Sequence, residues 1–403
     1  MKKALFVTYG GGHVNIVRHV YRRLKKEGFK SKIIALTNSV ATLDKENIPY
    51  KKISDYISIF EYKDSIIELG EKLSKTYYNE NSGLSKSDIS VYLGINFHDL
   101  KEETGSFKAA HKLLESTGHN IFNPVKSMKK ILEFEKPDVV ILTCTVRMEK
   151  AAGLAANELG IPVIMILGTI GDDDIIPYNC KVCVMNESAK KNILQNNSID
   201  MKDIIITGQP DYEENIKIDE KRKNEIKIKL ETDKYARVIT YVPQPRQRDN
   251  HIIMSELIKI AQKNNENLFI VKLHPNEFIQ EYKDYIDVKP DNLLITKDAE
   301  LPYYLYLSDL VLTKFSMGGL YAVFMDKPLV ILNIFNEELF PDYSKYGVAV
   351  SVNDISKLDN KIIELLSIDS KANDKLKLAR REFRNVENSV ENIIKVIEKS
   401  IIS

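Results

Sequence analysis

Short apolar runs alternate with segments of helical periodicity from one end of the chain to the other. This pattern predicts parallel βαβ units, because strands buried on both faces read as unbroken apolar runs and the helices covering them show one apolar stripe. In the first half the predicted strands are Ala4–Thr8, Ser31–Leu36, Val139–Thr143, Val163–Leu167, Val182–Met185 and Ile204–Ile206. The helix after the first strand carries Val17, Val20, Tyr21 and Leu24 at helical spacing and stops before Gly28. A second helix starts after Asn123-Pro124, and an alanine-rich third spans Arg147 to Leu159 with Gly160 as its stop. The pattern restarts with strands predicted at Val238–Val242, Leu268–Leu273, Leu293–Ile295, Leu310–Thr313, Leu329–Leu332 and Val348–Ser351. Helices fit between them at Ile252–Lys263, Gly319–Met325 and Ile355–Leu366.

Two interruptions set the domain plan. The polar, tyrosine-rich stretch from about 60 to 120 reads as inserted helices and loops facing an acceptor, and Glu214–Lys234 reads as a charged helix or linker. The expected layout is an N-terminal Rossmann-like domain over 1–212, a C-terminal one over 213–374, and one long helix, from about Lys375 to Ile401 within 375–403, crossing back to the first domain. The expected class is α/β, with two parallel-sheet domains facing each other across a cleft.

The 403 residues suit two domains. Lys and Arg total 58 against 57 Asp and Glu, a net charge of +1, which argues against a nucleic-acid partner. The opening MKKALFVTYGGGH lacks the apolar run of a secretory leader, and Ile161–Leu167 is too short to span a bilayer, so a cytoplasmic location is expected. Arg18, Arg22, Arg23, Lys25 and Lys26 on the first helix form a basic face, read as a solvated surface or as peripheral membrane contact.

Candidate chemistry gathers where strands end. Gly10-Gly11-Gly12-His13 joins the first strand to the first helix, a loop whose bare backbone suits close approach to an anion. His13 is read as a general base or as a positioning group. His274-Pro275 follows the strand Leu268–Leu273, and Arg246 and Arg248 follow Val238–Val242 between stiffening prolines, both suited to phosphate. Ser316, Gly318 and Gly319 read as a phosphate nest or as a simple helix cap. Glu103, in what reads as an acidic loop, is a second candidate base; Glu337 or Glu338 suits sugar hydroxyls, with Glu338 preferred. Cys180-Lys181-Val182-Cys183 lacks a second pair and reads as buried thiols, and Gly171-Asp172-Asp173-Asp174 reads as a solvated turn, so no metal is expected.

These motifs together resemble the GT-B group of glycosyltransferases and the related nucleotide-sugar 2-epimerases. The glycine loop ending in His13 resembles that of GT-B transferases, while Glu135-Lys136-Pro137-Asp138 and Gly160-Ile161-Pro162 resemble the epimerase first domain. Thr207-Gly208-Gln209-Pro210-Asp211 is similar to a stretch closing that domain in both, and the segment from His274-Pro275 to Asp326-Lys327-Pro328 resembles the donor domain of capsule and teichoic-acid transferases. Two departures stand out. Gly168-Thr169-Ile170 replaces the acidic residues of the epimerases, and Tyr321 and Ala322 stand where a ribose-binding carboxylate is expected.

The resemblance implies a metal-independent glycosyltransferase without a cofactor, using a UDP-, CDP- or CMP-linked sugar and a sugar, lipid-linked or small-molecule acceptor, in polysaccharide biosynthesis. Arg246, His274, Ser316, Gly318, Gly319 and Glu338 would hold the donor, Gly10, Gly11 and Gly12 would lie on the acceptor side, and His13 or Glu103 would take the acceptor proton. The alternatives are a nucleotide-sugar 2-epimerase, hydrolysing or not, a glycerol-phosphate transferase, and a catalytically silent nucleotide-sugar binder.

Overall fold

The computed structural model describes residues 1–78, 84–298, 300–367 and 370–402. The chain divides into two units, Met1–Asp211 with Val386–Ser403, and Tyr212–Asn385. Residues 79–83 of the expected insertion lie outside the described residues.

The first unit is built on a seven-stranded sheet in the order β3-β2-β1-β4-β5-β6-β7, every described pair parallel. Its strands are β1 (Lys3–Thr8), β2 (Lys30–Ala35), β3 (Lys51–Lys52), β4 (Val139–Leu142), β5 (Val163–Ile166), β6 (Lys181–Val184) and β7 (Ile204–Ile206). Strands β4 and β5 are buried throughout, which is why the sequence there shows no polar alternation. The two-residue edge strand β3 carries only Lys51 and Lys52 and left no apolar signal to read. Order reverses between β1 and β4, where Ala4 pairs with Val139 and Phe6 with Ile141.

Helix α1 (Gly12–Lys26) buries Val14, Ile16, Val17, Val20, Tyr21 and Leu24 against this sheet. The insertion folds as helices α3 (Lys63–Tyr77), α4 (Lys86–Thr104) and α5 (Phe107–Thr117), after α2 (Ser39–Lys45). Helices α3 and α4 touch backbone to backbone. A Cβ at Gly70 would lie 1.9 Å from the Ser90 carbonyl oxygen, and one at Gly94 2.0 Å from that of Ile66. Then come α6 (Val125–Glu135), α7 (Arg147–Glu158) and α8 (Glu187–Asn196).

Helix α9 (Pro210–Asn215) carries the chain from the first unit into the second, where α10 (Glu220–Lys229) occupies the charged stretch read as helix or linker. The six-stranded sheet of the second unit runs β10-β9-β8-β11-β12-β13, again parallel. The strands are β8 (Arg237–Val242), β9 (Asn267–Lys272), β10 (Leu293–Thr296), β11 (Leu310–Thr313), β12 (Leu329–Leu332) and β13 (Val350–Val352). The reversal here falls between β8 and β11, with Thr313 opposite Val242. Helices α11 (Asn250–Lys263), α12 (Lys283–Val288), α13 (Leu301–Leu307) and α14 (Gly318–Phe324) connect the strands, and α15 (Leu358–Leu366) follows the last of them.

The long helix expected from Lys375 is two helices, α16 (Lys371–Glu382) and α17 (Ser389–Ile402). The break is pinned by backbone contacts: the Val386 N–H donates to the Met185 carbonyl, and Asn388 takes a left-handed conformation. Ile393, Ile394 and Ile397 of α17 then join the core under α1 and β1.

Candidate functional site

Parallel sheets bind ligands beyond the carboxyl ends of their strands, at the point where strand order reverses. In both sheets that point is bridged by hydrogen-bonded polar side chains, and each bridge follows from what the two central strands deliver.

In the first sheet, β1 leads to the glycine loop and β4 to Thr143. Gly11 caps α1 with φ of 68°, no side chain caps the helix, and nothing lies within 4 Å of where a Cβ of Gly11 or Gly12 would be. Gly10 differs, because its Cβ would strike Asn38 at 2.0 Å. His13 Nδ1 lies 3.1 Å from Thr143 Oγ1, and Thr143 Oγ1 donates to Glu149 at 3.0 Å. Glu149 is fully buried and also accepts from the backbone N–H groups of Tyr9, Thr143 and Cys144 at 3.1, 2.6 and 2.9 Å. Thr143 has one hydroxyl proton, and a carboxylate accepting it obliges His13 Nδ1 to be the donor to Thr143. The neutral imidazole therefore carries its proton on Nδ1 and keeps the Nε2 lone pair open.

Asp174 stands near enough to His13 for the two charges to interact. Its carboxyl accepts from Thr169 Oγ1, and burial raises it above the ordinary carboxylate range despite that bond. His13, Cys144 and Glu149 bring ligand-type atoms within 4.8 Å of one another. Glu149 is already engaged by the four donors above, and burial pushes the Cys144 thiol far up, so the trio has the chemistry of a hydrogen-bonded relay more than of a metal clasp. Cys180 and Cys183 are free thiols whose burial pushes each up to about 12.

In the second sheet, β8 leads to the Pro243–Asn250 loop and β11 to Lys314. Thr313 Oγ1 donates to the Val242 carbonyl at 2.9 Å, stitching the two strand ends together. Lys314, with a side chain only 2% exposed, reaches Asp249 at 2.8 Å, Glu337 at 2.5 Å and Gln247 at 3.2 Å. Arg248 pairs with Glu337 at 2.9 Å and stacks over Phe335 at 4.0 Å. Arg246 is exposed, in a left-handed conformation. Beyond β9, His274 Nδ1 accepts from the Asn276 N–H at 3.1 Å, so a neutral His274 presents its proton on Nε2. Burial lowers the His274 pKa, favouring that neutral form. Glu277 holds the loop, accepting from the His274 N–H at 2.7 Å and from Tyr282 at 2.6 Å.

Several expected residues are placed otherwise than their motifs suggest. Glu103 is exposed on the last turn of α4, not in a loop, because Gly105 ends the helix two residues later. Glu337, and not the exposed Glu338, joins Lys314. The Ser316 turn forms its own cap: Gly318 donates to Ser316 Oγ at 3.0 Å, Gly319 to the Ser316 carbonyl at 2.8 Å, and Tyr343 to that same carbonyl at 2.9 Å. Those two amides are spent internally, and Gly319 is glycine because a Cβ would meet the Tyr343 ring at 2.6 Å. Tyr321 packs edge-on against Tyr212 and accepts from Asn215 at 3.2 Å. The basic face of α1 is largely neutralised, with Arg18 and Arg22 on Glu46 and Arg23 on Glu27 and Glu391. Among the described residues no helix is long and apolar enough to cross a membrane.

Thr143, Glu149, Lys314 and Asp249 escaped the sequence motifs. Their signal was faint: a polar residue closing an apolar strand, and an acid in the first turn of an alanine-rich helix.

No known family profile matches the sequence, and none of the curated proteins compared with it does. Solved structures do match over the whole chain. S. aureus MnaA in a co-structure with UDP has 14% identity and a TM-score of 0.66, over 100% of this chain and 97% of that one. The UDP-GlcNAc 2-epimerase from Neisseria meningitidis, bound to UDP-GlcNAc, has 19% identity and a TM-score of 0.60, over 98% and 100%. The glycosyltransferase SnogD from Streptomyces nogalater has 12% identity and a TM-score of 0.53, over 98% and 99%. The chain therefore has the two-sheet parallel α/β fold shared by UDP-GlcNAc 2-epimerases and GT-B glycosyltransferases.

Proposed function

We propose that this protein is an enzyme that inverts the second carbon of a UDP-linked amino sugar. The observation carrying this reading is the Glu149–Thr143–His13 chain, which leaves His13 Nε2 as an open base at the ligand edge of the first sheet. The C2–H of such a sugar is not acidic by itself, so its proton can leave only as the C1–O bond to the diphosphate breaks, giving a C1=C2 double bond and UDP. Inversion is complete when a proton is added to the opposite face of C2 and UDP bonds again to C1, hence one group that takes a proton and one that gives it. His13 takes the first role. Asp174, whose raised carboxyl keeps its proton more readily than an ordinary aspartate, takes the second. His274 Nε2–H and Arg246 are assigned to the nucleotide's phosphates. The similarity to structures holding UDP and UDP-GlcNAc supports the choice of nucleotide.

One observation favours a second reading, glycosyl transfer. Directly after β5 the chain offers Gly168-Thr169-Ile170 and no carboxylate, Asp174 farther along the loop accepts from Thr169, and transfer needs only one base for an acceptor hydroxyl. Proton NMR of UDP-GlcNAc incubated with the protein in deuterated water separates the two. Inversion yields a UDP-ManNAc signal set and deuterium at C2. Release of UDP with the C2 proton retained would replace inversion by transfer or hydrolysis, and no change in any UDP-linked sugar, with acceptors present, would refute both.

A further inference from the structure

Arg147 opens α7, one turn beyond the end of β4, and its backbone holds φ at 47°, a strained value for any residue but glycine. The guanidinium lies 4.6 Å over the Tyr9 ring and faces the Tyr92 hydroxyl, and it acts electrostatically on His119 and Cys144. Tyr9 and Tyr92 are themselves joined at 3.1 Å, and the Tyr9 hydroxyl accepts from the Met148 N–H, so two buried rings and the start of α7 fix the arginine from below.

What the arginine lacks is an acid. It is half-buried, its Nε is buried without a hydrogen-bond partner, and among the described residues no carboxylate lies within ion-pair distance of it. Glu149, two residues on, spends itself on Tyr9, Thr143 and Cys144. Other arginines withdrawn from solvent in this chain are paired, Arg380 with Asp326 at 2.9 Å and Arg18 with Glu46. His119, beside Arg147, also has a buried Nε2 without a partner. A half-buried guanidinium that meets Tyr92 but keeps a buried Nε without a partner and has no counter-charge leaves room for an anion that a ligand would supply.

We infer that Arg147, with His119 beside it, is a carboxylate-reading position, and that the sugar handled at this edge of the first sheet bears an acidic substituent. The nucleotide half of the substrate rests on the proposed function; the carboxylate does not. Arg147 is a specificity position that takes no part in proton transfer.

The test is calorimetric titration of UDP-glucuronic acid and UDP-glucose, which differ by one carboxylate, into wild type, Arg147→Ala and Arg147→Lys. Melting curves establish that each variant is folded. The wild type is expected to favour the acidic sugar by about tenfold or more, a ratio falling below about twofold in Arg147→Ala and partly kept in Arg147→Lys. Equal wild-type affinities, or a ratio that survives Arg147→Ala, would overturn the inference and leave the proposed function standing. Failure of every UDP compound to bind would overturn the nucleotide reading instead. Free glucuronate against glucose, on wild type and Arg147→Ala, would then decide the carboxylate position alone, binding lost in the variant supporting it and equal binding overturning it. Displacement of glucuronate by equimolar inorganic phosphate would reassign the position to the substrate's own phosphate and so overturn the carboxylate reading.

Discussion

Replacing Lys314 by Met removes the cation of a buried pair and leaves its acid behind. Lys314 and Asp249 have side chains 2% and 0% exposed, and Lys314 Nζ lies 2.8 Å from Asp249 Oδ2, while Asp249 Oδ1 has no hydrogen-bond partner. In Lys314→Met the Asp249 carboxylate is buried without compensation, and removing one member of such a pair costs about 3–5 kcal/mol. Glu337 loses far less, since it is partly solvated and keeps Arg248. At about 2–4 °C per kcal/mol for a unit of this size, the transition involving Tyr212–Asn385 should fall by about 6–20 °C.

The decisive assay is a double-mutant cycle followed by calorimetry and urea unfolding. Asp249→Asn keeps the shape of the acid and removes its charge, so the double variant Lys314→Met/Asp249→Asn should recover a large part of the loss. A coupling of about 2 kcal/mol or more is expected for a pair so fully desolvated. A loss below about 1 kcal/mol for Lys314→Met, or strict additivity of the two substitutions, would refute the view that this pair holds the β8 and β11 ends together.

Three further outcomes follow from the first unit. His13→Ala should lower turnover about 10²–10⁴-fold while a thermal-shift response to UDP persists; loss of the UDP response with unchanged turnover would remove His13 from proton transfer. Asp174 has a raised carboxyl pKa, so folding favours its protonated form, and the stability this contributes is present at low pH and lost as pH rises through the raised value. Asp174→Asn, which can still accept from Thr169, should therefore melt higher than wild type at pH 7, with the gain vanishing near about pH 3; a gain independent of pH would exclude the carboxyl as its source. Gly94→Ala places a Cβ 2.0 Å from the Ile66 carbonyl oxygen and must separate α3 from α4, costing about 1–3 kcal/mol in urea unfolding, whereas Gly105→Asn at the left-handed end of α4 should cost less.

The alternation of strand and helix was legible in the sequence because it is a local property: a strand such as Val139–Leu142, covered on both faces, has nowhere to put a polar side chain. The same locality explains why His13, Arg246 and His274 could be marked as candidates, each lying in a loop directly beyond a predicted strand. Where the polar partner comes from elsewhere in the chain, the sequence was silent. His13 meets Thr143 across 130 positions and Lys314 meets Asp249 across 65, and only the reversal of strand order sets those loops side by side. Local reading also left open the role of groups whose partners stand elsewhere in space or along the turn. The Gly318 and Gly319 amides are taken by Ser316, and the arginines Arg22 and Arg23 of α1 are met by Glu46 and Glu391. The break between α16 and α17 is of the same kind, since helical periodicity alone favoured continuation, and the contact of Val386 with Met185 turns the chain instead. Periodicity thus determined which segments became strands and helices, while strand order, a property of the whole sheet, decided which of their ends became a site.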